Sequence, residues 1–152
     1  MQPQIRHTNS IGDKWETICL QNWFPDDCYE LIDKTHNDAE NQVRKITSSR
    51  NPDLKLRDRS TGNIFYVECK YRSQVIDDLI KWTNYEHLKR YQIAQCKYPV
   101  FVALHLDLFD NSKYYLLPLS LLSYPEIYKS RLKGYDRQLY PVASGDLWRL
   151  LK

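Results

Sequence analysis

The sequence predicts one mixed α/β domain, and three observations carry that expectation. An amphipathic helix pattern stands near the N-terminus, a tight alternating hairpin spans 54–72, and 99–106 (PVFVALHL) is an almost unbroken apolar run. Such a run suits a strand covered on both faces. With 152 residues the chain has the length of one ordinary domain, and no repeat or linker divides it. Residues 1–9 read as a loose tail and 10–152 as the single domain.

The first element is a helix over about 10–22. Ser10, with Asp13 three residues on, resembles a capping-box start. Ile11, Trp15, Ile18, Cys19 and Trp23 then fall on one apolar arc at 100° per residue. Glu16 lands at the margin of that arc, between Trp23 and Leu20, which predicts a carboxylate half-sunk against the core. The turn residues Pro25, Asp26 and Asp27 follow, and 28–34 reads as a first strand. Residues 35–51 are polar, and a strand over about 42–47 is the one element they suggest.

The hairpin pairs 54–59 with 64–72 across Ser60-Thr61-Gly62-Asn63. A loop centred on Thr61-Gly62 sets Asp53 opposite Lys70 and diagonal to Glu68, roughly 7–8 Å apart. A loop centred on Ser60-Thr61 makes Asp53 and Glu68 direct partners instead. Both registers give one mostly apolar and one charged face, and both bring two carboxylates and an ammonium together. Beyond the hairpin, 76–95 is expected to be one helix containing Trp82, Tyr85, Leu88, Tyr91 and Gln92. The apolar strand over 99–106 comes next, then a strand over 114–119 and a short helix over 146–151 behind Ser144.

Composition narrows the function classes. With 42% hydrophobic and 27% charged residues, and only 4 Gly and 7 Pro, the chain is not of a disordered type. No apolar run approaches the roughly 18 residues of a membrane span, and the N-terminus lacks a signal-peptide core. A cytoplasmic location is therefore expected, with Cys19, Cys28, Cys69 and Cys96 as reduced thiols in apolar segments. They form no CxxC pair and no zinc-spaced cluster with the four scattered histidines. His105, in the apolar strand, is expected in the core or at an edge. Gly-rich phosphate loops and nucleophile elbows are absent. Most of the 12 Tyr and 4 Trp are expected in the core or an interface; Trp82 and Tyr85 are the two considered for base stacking.

Charge is more telling in its distribution than in its total of +3. Between Arg44 and Arg72 stand Arg44, Lys45, Arg50, Lys55, Arg57, Arg59, Lys70 and Arg72 against Asp53, Asp58 and Glu68, a local net of +5. A basic stretch around a few acids suits a phosphate-binding site that holds a metal. Phosphodiester hydrolysis needs an activated water and neutralised phosphoryl charge; hard carboxylates suit Mg²⁺ or Mn²⁺, and a lysine adds a fixed positive charge.

The context N51-P52-D53, then a hairpin, then V67-E68-C69-K70, resembles the PD-(D/E)xK phosphodiesterase superfamily, in particular its Holliday-junction-resolvase-like and Mrr-like nucleases. The resemblance covers roughly residues 10–106. It implies a restriction-endonuclease-like αβββαβ core, a mixed central sheet flanked by helices. It also implies Asp53 and Glu68 as metal ligands with the Cys69 carbonyl, and Lys70 orienting or deprotonating the attacking water. Glu16 matches the helix glutamate that many members add to the metal, and Gln92 falls where some place a Gln. Arg57 on the charged hairpin face, and Tyr71 and Arg72 just past Lys70, are expected at a nucleic-acid backbone. The implied function is Mg²⁺- or Mn²⁺-dependent cleavage of DNA, for which a twofold homodimer would be the simplest way to cut two strands. The alternatives are a nuclease-like subunit that binds nucleic acid or assembles without cutting, and a Tyr-rich interaction protein with no nucleic-acid role.

Overall fold

The computed structural model describes residues 10–35 and 51–152. The N-terminal tail, the strand considered over 42–47, and Arg44, Lys45 and Arg50 lie outside the described residues. A five-stranded mixed sheet forms the centre, in the order β1-β2-β3-β5-β6. Its strands are β1 (Tyr29–Lys34), β2 (Leu54–Asp58), β3 (Ile64–Arg72), β5 (Val100–Leu108) and β6 (Asn111–Pro118). Neighbours are antiparallel except β3 and β5, which run parallel and are joined by a crossover through a helix. A separate two-stranded ribbon pairs β4 (Leu79–Lys81) with β7 (Glu126–Tyr128). The expected helix, three-strand meander, helix and strand are all present in order.

Helix α1 (Ile11–Trp23) starts at the expected cap: Asp13 N donates to Ser10 Oγ at 3.2 Å. Trp15, Cys19 and Trp23 are buried, whereas Ile11 and Ile18, at the margins of the arc, are exposed. Trp15 Nε1 donates to Ala103 O at 3.0 Å, which pins α1 to the middle of β5 and thereby fixes Glu16. One apolar cluster fills the α1 side with Leu54, Leu56, Phe65, Val67, Phe101 and Ala103. The other side is filled by Tyr66, Val102, Leu104, Leu117 and residues of α2 (Tyr85–Gln95). Strand β5 is buried on both faces from Val100 to Leu104, as its composition predicts.

The hairpin takes the second of the two registers, with Leu54 opposite Val67 and Leu56 opposite Phe65. The physical reason lies at Asp58. The other register would set it against Phe65, whereas here Asp58 N donates to Asn63 O at 2.9 Å and its carboxylate accepts from Ser60 N. Gly62 closes the loop at φ +79°. An added Cβ would meet no atom within 4 Å there, so only backbone strain opposes a side chain. Gly62→Ala is expected to cost about 1 kcal/mol, read as a lower urea midpoint with unchanged slope.

The single helix expected over 76–95 is not formed. Asp77 and Asp78 adopt φ of 54° and 64°, making a tight turn that bridges Ile76 to Leu79 and leads into β4. Asn84 then starts α2, its side chain accepting from His87 N at 2.8 Å. Two acids tolerant of left-handed backbone and a strong N-cap outweigh the helical spacing of Trp82 with Tyr85. Two of the four free cysteines also depart from expectation: Cys28 and Cys96 are exposed, in the turn before β1 and just after α2. The C-terminal helix α3 (Ser144–Arg149) forms, but Ser144 donates to Asp58 Oδ2 instead of capping it. No helix among the described residues is long and apolar enough to cross a membrane.

Candidate active site

Asp53 and Glu68 meet where β2 begins, just past the last paired residues of the hairpin. Asp53 N donates to Glu68 Oε1 at 3.1 Å, and Cys69 N donates to Asp53 Oδ2 at 2.8 Å. This reciprocal arrangement extends the ladder with side chains ahead of the first residue of β2. Pro52, buried and without an N–H, leads the chain into it. Lys70 Nζ stands 3.3 Å from Glu68 Oε2, its side chain mostly covered. The three residues singled out by the sequence therefore form one connected group.

Electrostatics in this group is set first by burial and then by crowded negative charge. Burial holds the Asp53 carboxyl well above its ordinary value, and the charges of Glu68 and Glu16 add to the effect; the Cys69 N–H and Lys70 offset part of it. Glu16, half-buried as expected, is also raised, chiefly by burial, against the pull of Lys34 at 3.1 Å. The Cys69 thiol is held well above its usual value by the neighbouring Cys19 thiol and by burial, so it stays a neutral thiol. Its backbone carbonyl is the group it can offer. In an extended strand the N–H and C=O of one residue project to the same edge, so this carbonyl faces the Asp53 side.

The donor set fits a small hard cation. Asp53 Oδ1 has no hydrogen-bond partner among the described residues, and Mg²⁺ is commonly held through one or two carboxylates while keeping several waters. Among the described residues no three His, Cys, Asp or Glu side chains stand close enough together to form a complete cage. Asp53, Glu68 and the Cys69 carbonyl are the groups here that could hold such an ion in part; Glu16 could join them only by leaving Lys34.

The residues expected at a nucleic-acid backbone are placed differently from one another. Arg57 is ion-paired to Glu30 at 2.8 Å, and the Tyr71 hydroxyl donates to Asp107 Oδ2. Arg72 is a strut: its guanidinium donates to the carbonyls of Tyr71, Lys81 and Trp82, tying β3 to the segment before α2. Gln92 is exposed on α2. Trp82 is buried with its Nε1 bonded to Tyr124 O, so it has no free face for a base, whereas Tyr85 is exposed. His105, half-buried, shares a hydrogen bond with Ser112 and packs among Trp15, Tyr71 and Tyr114.

Two residues of the site were not anticipated. Lys34 neutralises Glu16, and Tyr91 donates its hydroxyl to Glu68 Oε2 at 2.9 Å from the buried side. The phase of α2 held a signal for Tyr91: it shares the inward face with Leu88, one residue before the Gln92 that motif matching favoured.

No family model matches the chain, and no curated protein matches it. Among solved structures it is similar to Hjc, a Holliday junction resolvase of the archaeal hyperthermophile Archaeoglobus fulgidus. The TM-score is 0.53 at 11% identity, over 80% of this chain and 91% of that one. The likeness shows that the fold is restriction-endonuclease-like, as the sequence resemblance implied.

Proposed function

We propose that this chain is a divalent-metal-dependent nuclease that hydrolyses phosphodiester bonds in DNA. The observation that carries the reading is the convergence of Asp53, Glu68 and Lys70 on one hairpin, joined by contacts of 3.1 and 3.3 Å. The shared fold with a Holliday junction resolvase supports it and makes branched DNA a natural first substrate.

Asp53, Glu68 and the Cys69 carbonyl would hold Mg²⁺ or Mn²⁺, with Glu16 as a further ligand once released from Lys34. Bound there, the ion would acidify a water and draw charge off the phosphoryl oxygens. Lys70 brings a positive charge on a flexible four-carbon stem, able to leave Glu68 for the phosphate or the attacking water. Burial of Glu68 and Lys70 keeps competing water from screening that charge. Gln92, exposed on α2, is the readier contact to a DNA backbone, and the Tyr71 hydroxyl would reach it on leaving Asp107. Arg57 would first have to leave Glu30, and Arg72 serves DNA indirectly by keeping the site's floor in place. A twofold dimer would present two such centres to two strands.

The test is cleavage of supercoiled plasmid and of a four-way DNA junction, with Mg²⁺ or with chelator. Nicked or resolved product should depend on the ion and disappear in Asp53→Asn and Lys70→Ala. Product that persists in both variants would place the chemistry elsewhere.

A further inference from the structure

Glu68 is gripped from two directions at one oxygen. Its Oε2 accepts from Tyr91 Oη at 2.9 Å and lies 3.3 Å from Lys70 Nζ, while Oε1 accepts from Asp53 N. Lys70 also lies over the Tyr91 ring, 5.6 Å from its centroid. Any use of Lys70 on a substrate takes the ammonium away from Glu68. The Oε2 oxygen of a buried carboxylate that loses this donor would turn towards other partners unless another donor holds it.

We infer that Tyr91 is a positioning residue for the proposed reaction: its hydroxyl holds Glu68 in place when Lys70 leaves for the substrate. The inference rests on the metal-nuclease reading and adds a residue to it. Tyr91 is itself well fixed for the task. It is 5% exposed, and its ring stacks on Trp82 at 5.9 Å with the planes 23° apart. Trp82 is anchored at both ends, by Nε1 on Tyr124 O and by Arg72 on its carbonyl. Burial and the Glu68 charge keep Tyr91 a neutral phenol, a donor, and the buried Thr83 hydroxyl beside it does not reverse this. Arg72, Trp82, Tyr91 and Glu68 thus form one line of support reaching the site from the α2 side. Outer partners of this kind typically change metal affinity or activity 10–100-fold when removed.

Tyr91→Phe keeps the ring stack and the Lys70 contact and deletes only the hydroxyl. Mn²⁺ affinity of the substrate-free protein, measured by calorimetry, should fall about tenfold or more, with the thermal midpoint of the chelated protein little changed. In cleavage, kcat should fall while KM for DNA stays near its wild-type value. Equal Mn²⁺ affinity and equal kcat in the two proteins would overturn the inference while leaving the nuclease reading intact. A wild-type protein that neither binds Mn²⁺ nor cleaves would remove both. Should the variant fold poorly, a structure of the wild type with Mn²⁺ and a DNA fragment decides. Tyr91 Oη must still donate to Glu68 with Lys70 drawn away; a released Tyr91 contradicts the inference.

Discussion

Lys70→Ala is expected to lower Mg²⁺-dependent DNA cleavage by about 10²–10⁴-fold, the range for loss of a general base or a preorganised positive charge. The ammonium stands 3.3 Å from Glu68 and is mostly buried, and no other cation among the described residues is paired with Asp53 or Glu68. Asp53→Asn should abolish cleavage as well, yet its effect on stability runs the other way. The folded-state carboxyl of Asp53 is held above its unfolded value by burial and by Glu68 and Glu16. The folded protein therefore keeps a proton that the unfolded chain has released, and metal-free stability falls as pH rises from about 4 through that raised value. The amide carries no charge to repel its neighbours and still accepts from Cys69 N. Chemical denaturation at pH 7 should find Asp53→Asn more stable than the metal-free wild type, with the gap shrinking towards pH 4. A gap that widened on acidification would mean that Asp53 is stabilised as a carboxylate.

Asp58→Ala is expected to cost about 3–5 kcal/mol, the largest single loss of stability outside the apolar core. Asp58 is 1% exposed, and its carboxylate accepts from Trp148 Nε1 at 2.7 Å, from Ser144 Oγ and from Ser60 N. It joins the hairpin loop to α3, 86 and 90 residues away in sequence. Burial works to raise its pKa, but the hydrogen bonds from Ser144, Trp148, Ser60 and Thr61 outweigh it and hold the group below its ordinary value. A lowered acid stabilises the fold above its unfolded pKa, near 4, and loses that contribution as pH falls through the folded value. Urea unfolding at pH 7 should show the full loss in Asp58→Ala, and the difference from wild type should shrink below about pH 4. A variant within about 0.5 kcal/mol of wild type would mean that water replaces the carboxylate without cost.

Much of the site was legible because its signals are local. Pro52-Asp53 and Glu68-x-Lys70 sit at the two ends of one hairpin, where period-two alternation puts their side chains together whichever even loop is chosen. The choice between the two loops turned on Asp58, held locally by Asn63 and Ser60 and also by Ser144 and Trp148, contacts of high sequence separation that no hairpin pattern contains. The stretch before α2 failed for a different reason. Trp82 and Tyr85 stand at helical spacing, but the burial of Trp82 belongs to a docked loop, and the left-handed Asp77-Asp78 pair ends any helical run. Basic charge gave no hint of its pairing. Arg57 and Arg72 are expected at a nucleic-acid backbone, and the fold pairs Arg57 with Glu30 and sets Arg72 on three carbonyls. Composition counts charges, but pairing depends on which strands become neighbours.

A crystal grown or soaked with Mn²⁺ and examined by anomalous scattering tests the central claim most directly. The account predicts a peak beside the start of β2, roughly 2.0–2.3 Å from one oxygen each of Asp53 and Glu68, with the Lys70 ammonium nearby. No peak at that position at millimolar Mn²⁺, or a peak bound by other residues, would contradict it.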